Sequence, residues 1–156
     1  MRYMEIDTID HAILGALQKK GRISNADLAH QVGLSQSACL RRVRTLEQAG
    51  IIEGYTALLN QKVSGRPQSV FVQITLVSQE SHDLEEFEAH VIERPEVMEC
   101  YLMTGDADYL LRVIVKDAAD YERLHREFLT RLPGVDRVKS SFALRVVRKR
   151  STMPLE

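Results

Sequence analysis

The sequence predicts an α+β chain in two parts: three short helices, then a sheet with two helices on one side. Two observations predict it. Between about residues 7 and 50, apolar residues recur every three or four positions between good capping residues, and beyond residue 69 the period changes to two. The polar stretch NQKVSGRPQ at 60–68, with Gly65 and Pro67, marks the change. The expected division is residues 1–60, a linker at 61–68, and a second domain at 69–156.

The first helix should run from about Asp7 to Lys20. Asp7 and Asp10 supply the cap and first-turn charge, Ile9, Ile13, Ala16 and Leu17 the apolar stripe, and Gly21 the stop. Ser24 is a good N-cap for the second helix, and Asp27 stands where a capping-box acid would. Leu28, Ala29 and Val32 give that helix its apolar side, Gly33 suits a left-handed helix end, and Leu34 plugs the gap beneath the turn. Ser35 caps a third helix reaching to about Ala49. In it Cys39, Val43 and Leu46 fall at i, i+4 and i+7, a buried stripe. Gly50 closes it, and Ile51, Ile52, Tyr55, Ala57 and Leu59 continue as an extended segment.

Two short helices joined by a tight Gly-containing turn read as a winged helix-turn-helix, and so toward double-stranded DNA. The candidate contacts are Ser35, Gln36, Ser37, Leu40, Arg41, Arg42 and Arg44. A helix in the major groove needs short polar residues at its N-terminal end to approach base edges and cations farther along for phosphates. Arg42 sits beside the buried stripe, where its alternative role is a structural pairing across the domain. The bland alternative for the whole segment is a solvated helical hairpin. Lys19, Lys20 and Arg22 are either phosphate contacts or cations favourably placed at a helix C-terminus.

Beyond the linker, Val70, Val72, Ile74 and Leu76 alternate with Phe71, Gln73, Thr75 and Val77 in a strand. A helix follows at 83–94 with Leu84, Phe87 and Val91 on one side, then a strand at 97–104. Gly105, Asp106, Ala107 and Asp108 make a tight connection to a third strand at 109–116. Asp117 caps a helix carrying Tyr121, Leu124, Phe128 and Leu132, ended by Pro133 and Gly134. A long strand closes the chain, with Val138, Ser140, Phe142, Leu144 and Val146 alternating with Lys139, Ser141, Ala143, Arg145 and Val147. The order βαββαβ predicts a ferredoxin-like sheet with both helices on one face. Its other face keeps several apolar residues, which marks it as a surface for self-association.

Bulk properties agree with a DNA reader whose charge is local. The chain has 156 residues, 44% of them hydrophobic, and a formal net charge of −1. Residues 1–60 hold 7 Lys and Arg against 6 Asp and Glu, and residues 61–156 hold 14 against 16. The acidic stretch Asp83, Glu85, Glu86, Glu88, Glu93 and Glu96 should face away from a phosphate backbone. Cys39 and Cys100 lie in apolar patterns without CxxC spacing, as reduced buried thiols of a cytosolic protein do. No signal-peptide core or membrane-spanning run is evident, so a soluble cytoplasmic, nucleoid-associated protein is expected. The five histidines show no metal-ligand spacing, and no nucleophile elbow or phosphate loop appears. The reading is therefore a non-enzyme with no metal and no cofactor.

GRISNADLAHQVGLS, CLRRVRTLEQAGIIEGYTALLN, TGDADYLL and LPGV stand in the order and at the spacing of the Lrp/AsnC, or feast/famine, transcription regulators, and the chain resembles that family over nearly its whole length. CLRRVRTLE and GYTALLN resemble its leucine-responsive branch, and SFALRVVRKRSTMPL resembles regulators responding to branched-chain or related amino acids. That branch often begins with a basic N-terminal tail, whereas here the first helix starts within a few residues of Met1. The resemblance implies a DNA-binding domain followed by a sensor domain, homodimers joined through the sheets, octamers or similar rings, and modulation by a small free amino acid. It places the effector at the connection between the second and third strands of the sheet, in a cleft between neighbouring dimers.

The effector residues expected there are Met103, Thr104, Gly105, Asp106, Asp108, Tyr109, Ser140 and Ser141. A turn at Gly105 lets backbone N–H groups approach a carboxylate, Asp106 or Asp108 accepts from the ammonium, and the serines offer hydroxyls. Met103, Tyr109 and Phe142 line the side-chain pocket. The residues alone favour a plain hairpin turn, since Gly and Asp suit turns on their own account; the resemblance favours the site. A ligand-independent architectural DNA-binding protein and an amino-acid-binding enzyme subunit are the competing readings, the second disfavoured by the helix-turn-helix. The effector's identity, the operator, the sense of regulation and the ring size are not written in the residues.

Overall fold

The computed structural model describes residues 5–155; the first four residues, on which the reading of an N-terminal tail rests, lie outside it. The chain divides into two compact units, residues 1–58 with 148–156, and residues 59–147. The last nine residues thus group with the first unit, whereas the sequence assigned them to the second domain.

The first unit holds α1 (Thr8–Lys19), α2 (Asn25–Val32) and α3 (Gln36–Gln48). Local chemistry sets each start. Asp7 accepts the Asp10 N–H at 2.8 Å while Asp10 accepts the Asp7 N–H, a reciprocal capping box. Ser24 Oγ accepts the Asp27 N–H but donates its own proton to the Asp27 carboxylate, so Asp27 braces the cap's hydroxyl instead of its backbone. Ser35 Oγ accepts the Ala38 N–H. Gly33 and Gly50, both at φ +71°, take the left-handed turns after α2 and α3 that a β-carbon would strain. Ile13, Leu28, Ala29, Cys39 and Leu46 form the core, with Val43 and Leu34 packed against it. Residues 51–60 have no ladder partner among the described residues, so the expected extended wing is not a strand here. Tyr55 instead donates to Glu47 Oε1 at 2.9 Å.

The second unit opens with a 3-10 turn at Gln61–Val63 inside the expected linker, then β1 (Gln68–Leu76), α4 (Ser81–Ile92), β2 (Val97–Leu102), β3 (Tyr109–Val115), α5 (Ala118–Glu127) and β4 (Val135–Phe142). The sheet order is β2-β3-β1-β4 with every neighbour antiparallel. Both helices cover one face: Phe87 and Val91 of α4 and Tyr121 and Leu124 of α5 share a core with Val70, Val72, Ile74, Leu111 and Val113. α5 stops at Glu127 and a 3-10 turn at Leu129–Arg131 follows, which buries Leu129, while Phe128 packs against the same core.

The last strand ends at Phe142, not at Val147. β1 pairs Val70 with Phe142, one further backbone bond runs from the Ala143 N–H to the Ser69 carbonyl at 3.0 Å, and Leu144 beyond it is 99% exposed. Both thiols are unpaired. Burial, then the Glu88 charge, pushes Cys100 up to about 11, the range of an inert thiol.

Candidate functional site

The outer face of α3 is polar and open. Gln36, Ser37, Arg41 and Arg44 are exposed, Leu40 lies among them, and Ser35 Oγ is 3.3 Å from Ser37 Oγ at the helix start. Neither Arg41 nor Arg44 makes an ion pair among the described residues. Arg42 differs. Its Nη1 donates to Asp7 Oδ2 and Asp10 Oδ1, both at 2.8 Å, tying α3 to the start of α1. The Asp10 backbone N–H, assisted by that guanidinium, holds Asp7 below the usual carboxylate value. Arg42 is thus engaged within its own unit, where it positions the helix on which the other candidates stand.

The second unit has a groove of about 390 Å³ on the open face of its sheet. Gln73 and Thr75 of β1, Leu110 of β3 and Arg137 and Lys139 of β4 form its floor and one wall. The register makes them neighbours, Gln73 opposite Lys139 and Thr75 opposite Arg137. The β2–β3 connection supplies the other side with Met103, Thr104, Asp106 and Ala107. Gly105 takes φ +115° in that connection, a conformation open to glycine, and Met103 N–H closes the loop on the Asp108 carbonyl at 2.8 Å. Two cations face an exposed carboxylate across a partly apolar floor. That combination suits a small zwitterion with a hydrocarbon side chain.

A model described as Lrp/AsnC ligand binding domain matches residues 69–153, and one described as Winged helix-turn-helix DNA-binding matches residues 6–53. The chain belongs to the Lrp/AsnC family. Among curated relatives, the Bkd operon transcriptional regulator of Pseudomonas aeruginosa is 48% identical over 97% of this chain and 99% of its own. The Leucine-responsive regulatory protein of Haemophilus influenzae is 43% identical over 99% and 93%. Among solved structures, a transcriptional regulator from Neisseria meningitidis in complex with L-methionine superposes with a TM-score of 0.91 at 34% identity, covering 96% of this chain and 97% of that one. This Lrp/AsnC protein is a DNA-binding transcriptional regulator with an amino-acid-binding domain; its family comprises regulators, not enzymes. No helix among the described residues is long and apolar enough to cross a membrane.

Five of the residues expected around the effector are engaged differently in this family member. Asp108 is buried, and its carboxylate accepts the Leu76 N–H and a Gln79 side-chain N–H, so it holds the end of β1. Tyr109, which borders the groove, is 1% exposed, its ring against Phe87 and its hydroxyl donating to Glu88 at 2.6 Å. Ser140 is bonded to the Tyr121 hydroxyl and Phe142 packs edge-on against the Tyr121 ring, both on the helix side of the sheet. Ser141 is on the open face, opposite Phe71 and two residues beyond Lys139, outside the groove lining. Gln73, Thr75, Arg137 and Lys139 escaped the sequence reading. Their signal was the period-two alternation itself, which puts Lys139 and not Ser140 on the face away from the core.

Proposed function

We propose that this regulator reads DNA with Ser35, Gln36, Ser37, Arg41 and Arg44 at the exposed face of α3, Leu40 making apolar contact, and is modulated by a free apolar α-amino acid seated in the open-face groove. The observation that carries the ligand half is the charge layout of the groove. Arg137 and Lys139 suit the α-carboxylate, Asp106 suits the ammonium, and Met103 with Leu110 suits a hydrocarbon side chain. The Gly105 backbone offers further N–H donors where a β-carbon would be strained. Leucine and methionine are the effectors favoured: one curated relative is named for its response to leucine, and solved relatives from Neisseria meningitidis and M. tuberculosis hold L-methionine.

The open face also carries Phe71, Leu110 and Ile114 beside the Glu99–Arg112 ion pair, so we read it as the face through which two copies join, with larger rings built on that dimer. Joining two DNA readers raises their combined affinity through effective concentration, as action at the nucleoid requires. Calorimetry with the common amino acids tests the ligand reading. An apolar amino acid should bind and shift the DNA affinity of the same sample; heat from none of them would leave a ligand-independent DNA-binding protein. Sedimentation at micromolar concentration should give a dimer or larger.

A further inference from the structure

The C-terminal segment sits on the DNA-binding unit by a specific attachment. Gln18, on α1, donates from Nε2 to the Met153 carbonyl at 3.2 Å and accepts the Met153 N–H on Oε1 at 2.6 Å. An amide used from both ends imitates one rung of a β-ladder, fixing the register of the segment as well as its position. Thr152, Pro154 and Leu155 line one hollow with Ala12 and Gly15 of the same helix.

This seat delivers cations. Arg148, Lys149 and Arg150 are consecutive and exposed, and no acidic residue lies between Asp136 and Glu156. Arg150 borders the same hollow as Lys19, and Lys20 and Arg22 follow in the chain. None of the six makes an ion pair among the described residues. Residues 1–58 alone carry 7 Lys and Arg against 6 Asp and Glu; with 148–156 the unit carries 10 against 7, while residues 59–147 carry 11 against 15. The segment thus takes its unit from nearly neutral to distinctly basic.

Its location follows from two short connections. Lys19 ends α1 only a few residues before Asn25, which opens α2, and the Asn25 side chain donates to the carbonyl of Gln36, the first residue of α3, at 2.9 Å. The end of α1, the start of α2 and the start of α3 therefore lie at one end of the unit. That end carries the short polar residues suited to base edges.

We propose that the seated segment is a second DNA-contacting element, in which Arg148, Lys149 and Arg150, beside Lys19, bind backbone phosphates of the duplex that α3 reads. The inference rests on the role of α3, and the two are separable. Phosphate contacts add affinity and salt dependence but carry no sequence information. The full-length R148A/K149A/R150A variant alters exposed side chains only. Its binding should be measured by anisotropy over a range of salt, on a promoter duplex selected by the wild type and on a scrambled duplex of equal length. Affinity for both should fall by about tenfold or more, and the log–log salt slope should become shallower by about 0.9 for each phosphate no longer neutralised. The preference between the duplexes should be unchanged. Gln18→Ala, which removes both bonds to Met153, should move the slope the same way by less. Unchanged slope and affinity in the triple variant, a loss confined to the selected duplex, or a wild-type slope in Gln18→Ala would each overturn the proposal. Arg41→Ala in parallel separates the failures. If it loses the preference while the triple variant is unaffected, the segment is excluded and α3 stands; if neither changes, the reading of α3 fails as well.

Discussion

The Asp108 carboxylate accepts the backbone N–H of Leu76 at 2.7 Å, from a position only 6% exposed. The bond joins the start of β3 to the last residue of β1, and the Gln79 side chain completes it from the loop beyond. An aspartate in the same connection as the groove's own Asp106 is thus a structural pin. Asp108→Ala should leave that N–H unpaired in the interior and cost about 2 kcal/mol. Urea unfolding should show a lower midpoint, with amino-acid binding retained in the folded fraction. A variant as stable as wild type would mean that water replaces the carboxylate.

Asp106 is the residue for which the opposite outcome is expected. It is exposed and accepts no hydrogen bond among the described residues, yet it borders the groove opposite Arg137 and Lys139. Asp106→Asn should leave the unfolding midpoint in place and weaken amino-acid binding about tenfold, the scale of one charge-assisted hydrogen bond. Lys139→Met should weaken it similarly. Calorimetry on both variants checks this, and wild-type affinity in both would move the ligand out of the groove.

Neighbouring arginines on α3 should also part company. Arg41 faces solvent, whereas Arg42 bridges Asp7 and Asp10. Arg41→Ala should lower DNA affinity and make its salt dependence shallower by about 0.9 per phosphate released, with the melting temperature unchanged. Arg42→Ala leaves Asp10, a buried carboxylate, without its cation, so the melting temperature should fall first and DNA binding only as a consequence. Equal loss of DNA affinity in both variants at wild-type stability would return Arg42 to the interface.

What the residues disclosed, and what they withheld, follows the range of the physics involved. Asp7, Ser24, Ser35 and Asp117 could be read as caps because a cap involves neighbours three residues away. Arg42 could be suspected of pairing because it borders an apolar stripe. The order of strands followed from their alternation with helices. The partner across the sheet could not be read: that Lys139 meets Gln73 depends on how β4 is registered against β1, far earlier in the chain. Tyr109 is another case. It was expected to line the ligand's side-chain pocket, but it shares the alternation of Leu111, Val113 and Val115 and is buried with them in the core. The seat of Met153 on Gln18 left no trace in periodicity at all.

The charge network at the other end of the sheet should make the second unit's stability depend on acid pH. Asp120 accepts the Lys116 N–H and pairs with Arg123 at 2.5 Å and Arg66 at 3.4 Å, while Arg66 and Arg94 also reach the buried Glu96. The Lys116 N–H first, and the Arg123 guanidinium second, hold the Asp120 carboxyl below its ordinary value of 3.8. A carboxylate whose folded value is depressed contributes stability that is complete above the unfolded value and lost as pH falls through the folded one. Stability from this group should therefore be level from neutral pH down to about pH 4, where unfolded carboxylates titrate, and decline below it. Asp120→Asn should lower the neutral-pH midpoint and flatten the acid limb, since the protonatable group is gone while an acceptor oxygen remains for the Lys116 N–H. Urea midpoints across the acid range, in wild type and variant, measure both effects. An equally steep acid limb in Asp120→Asn would show that Asp120 does not cause the decline.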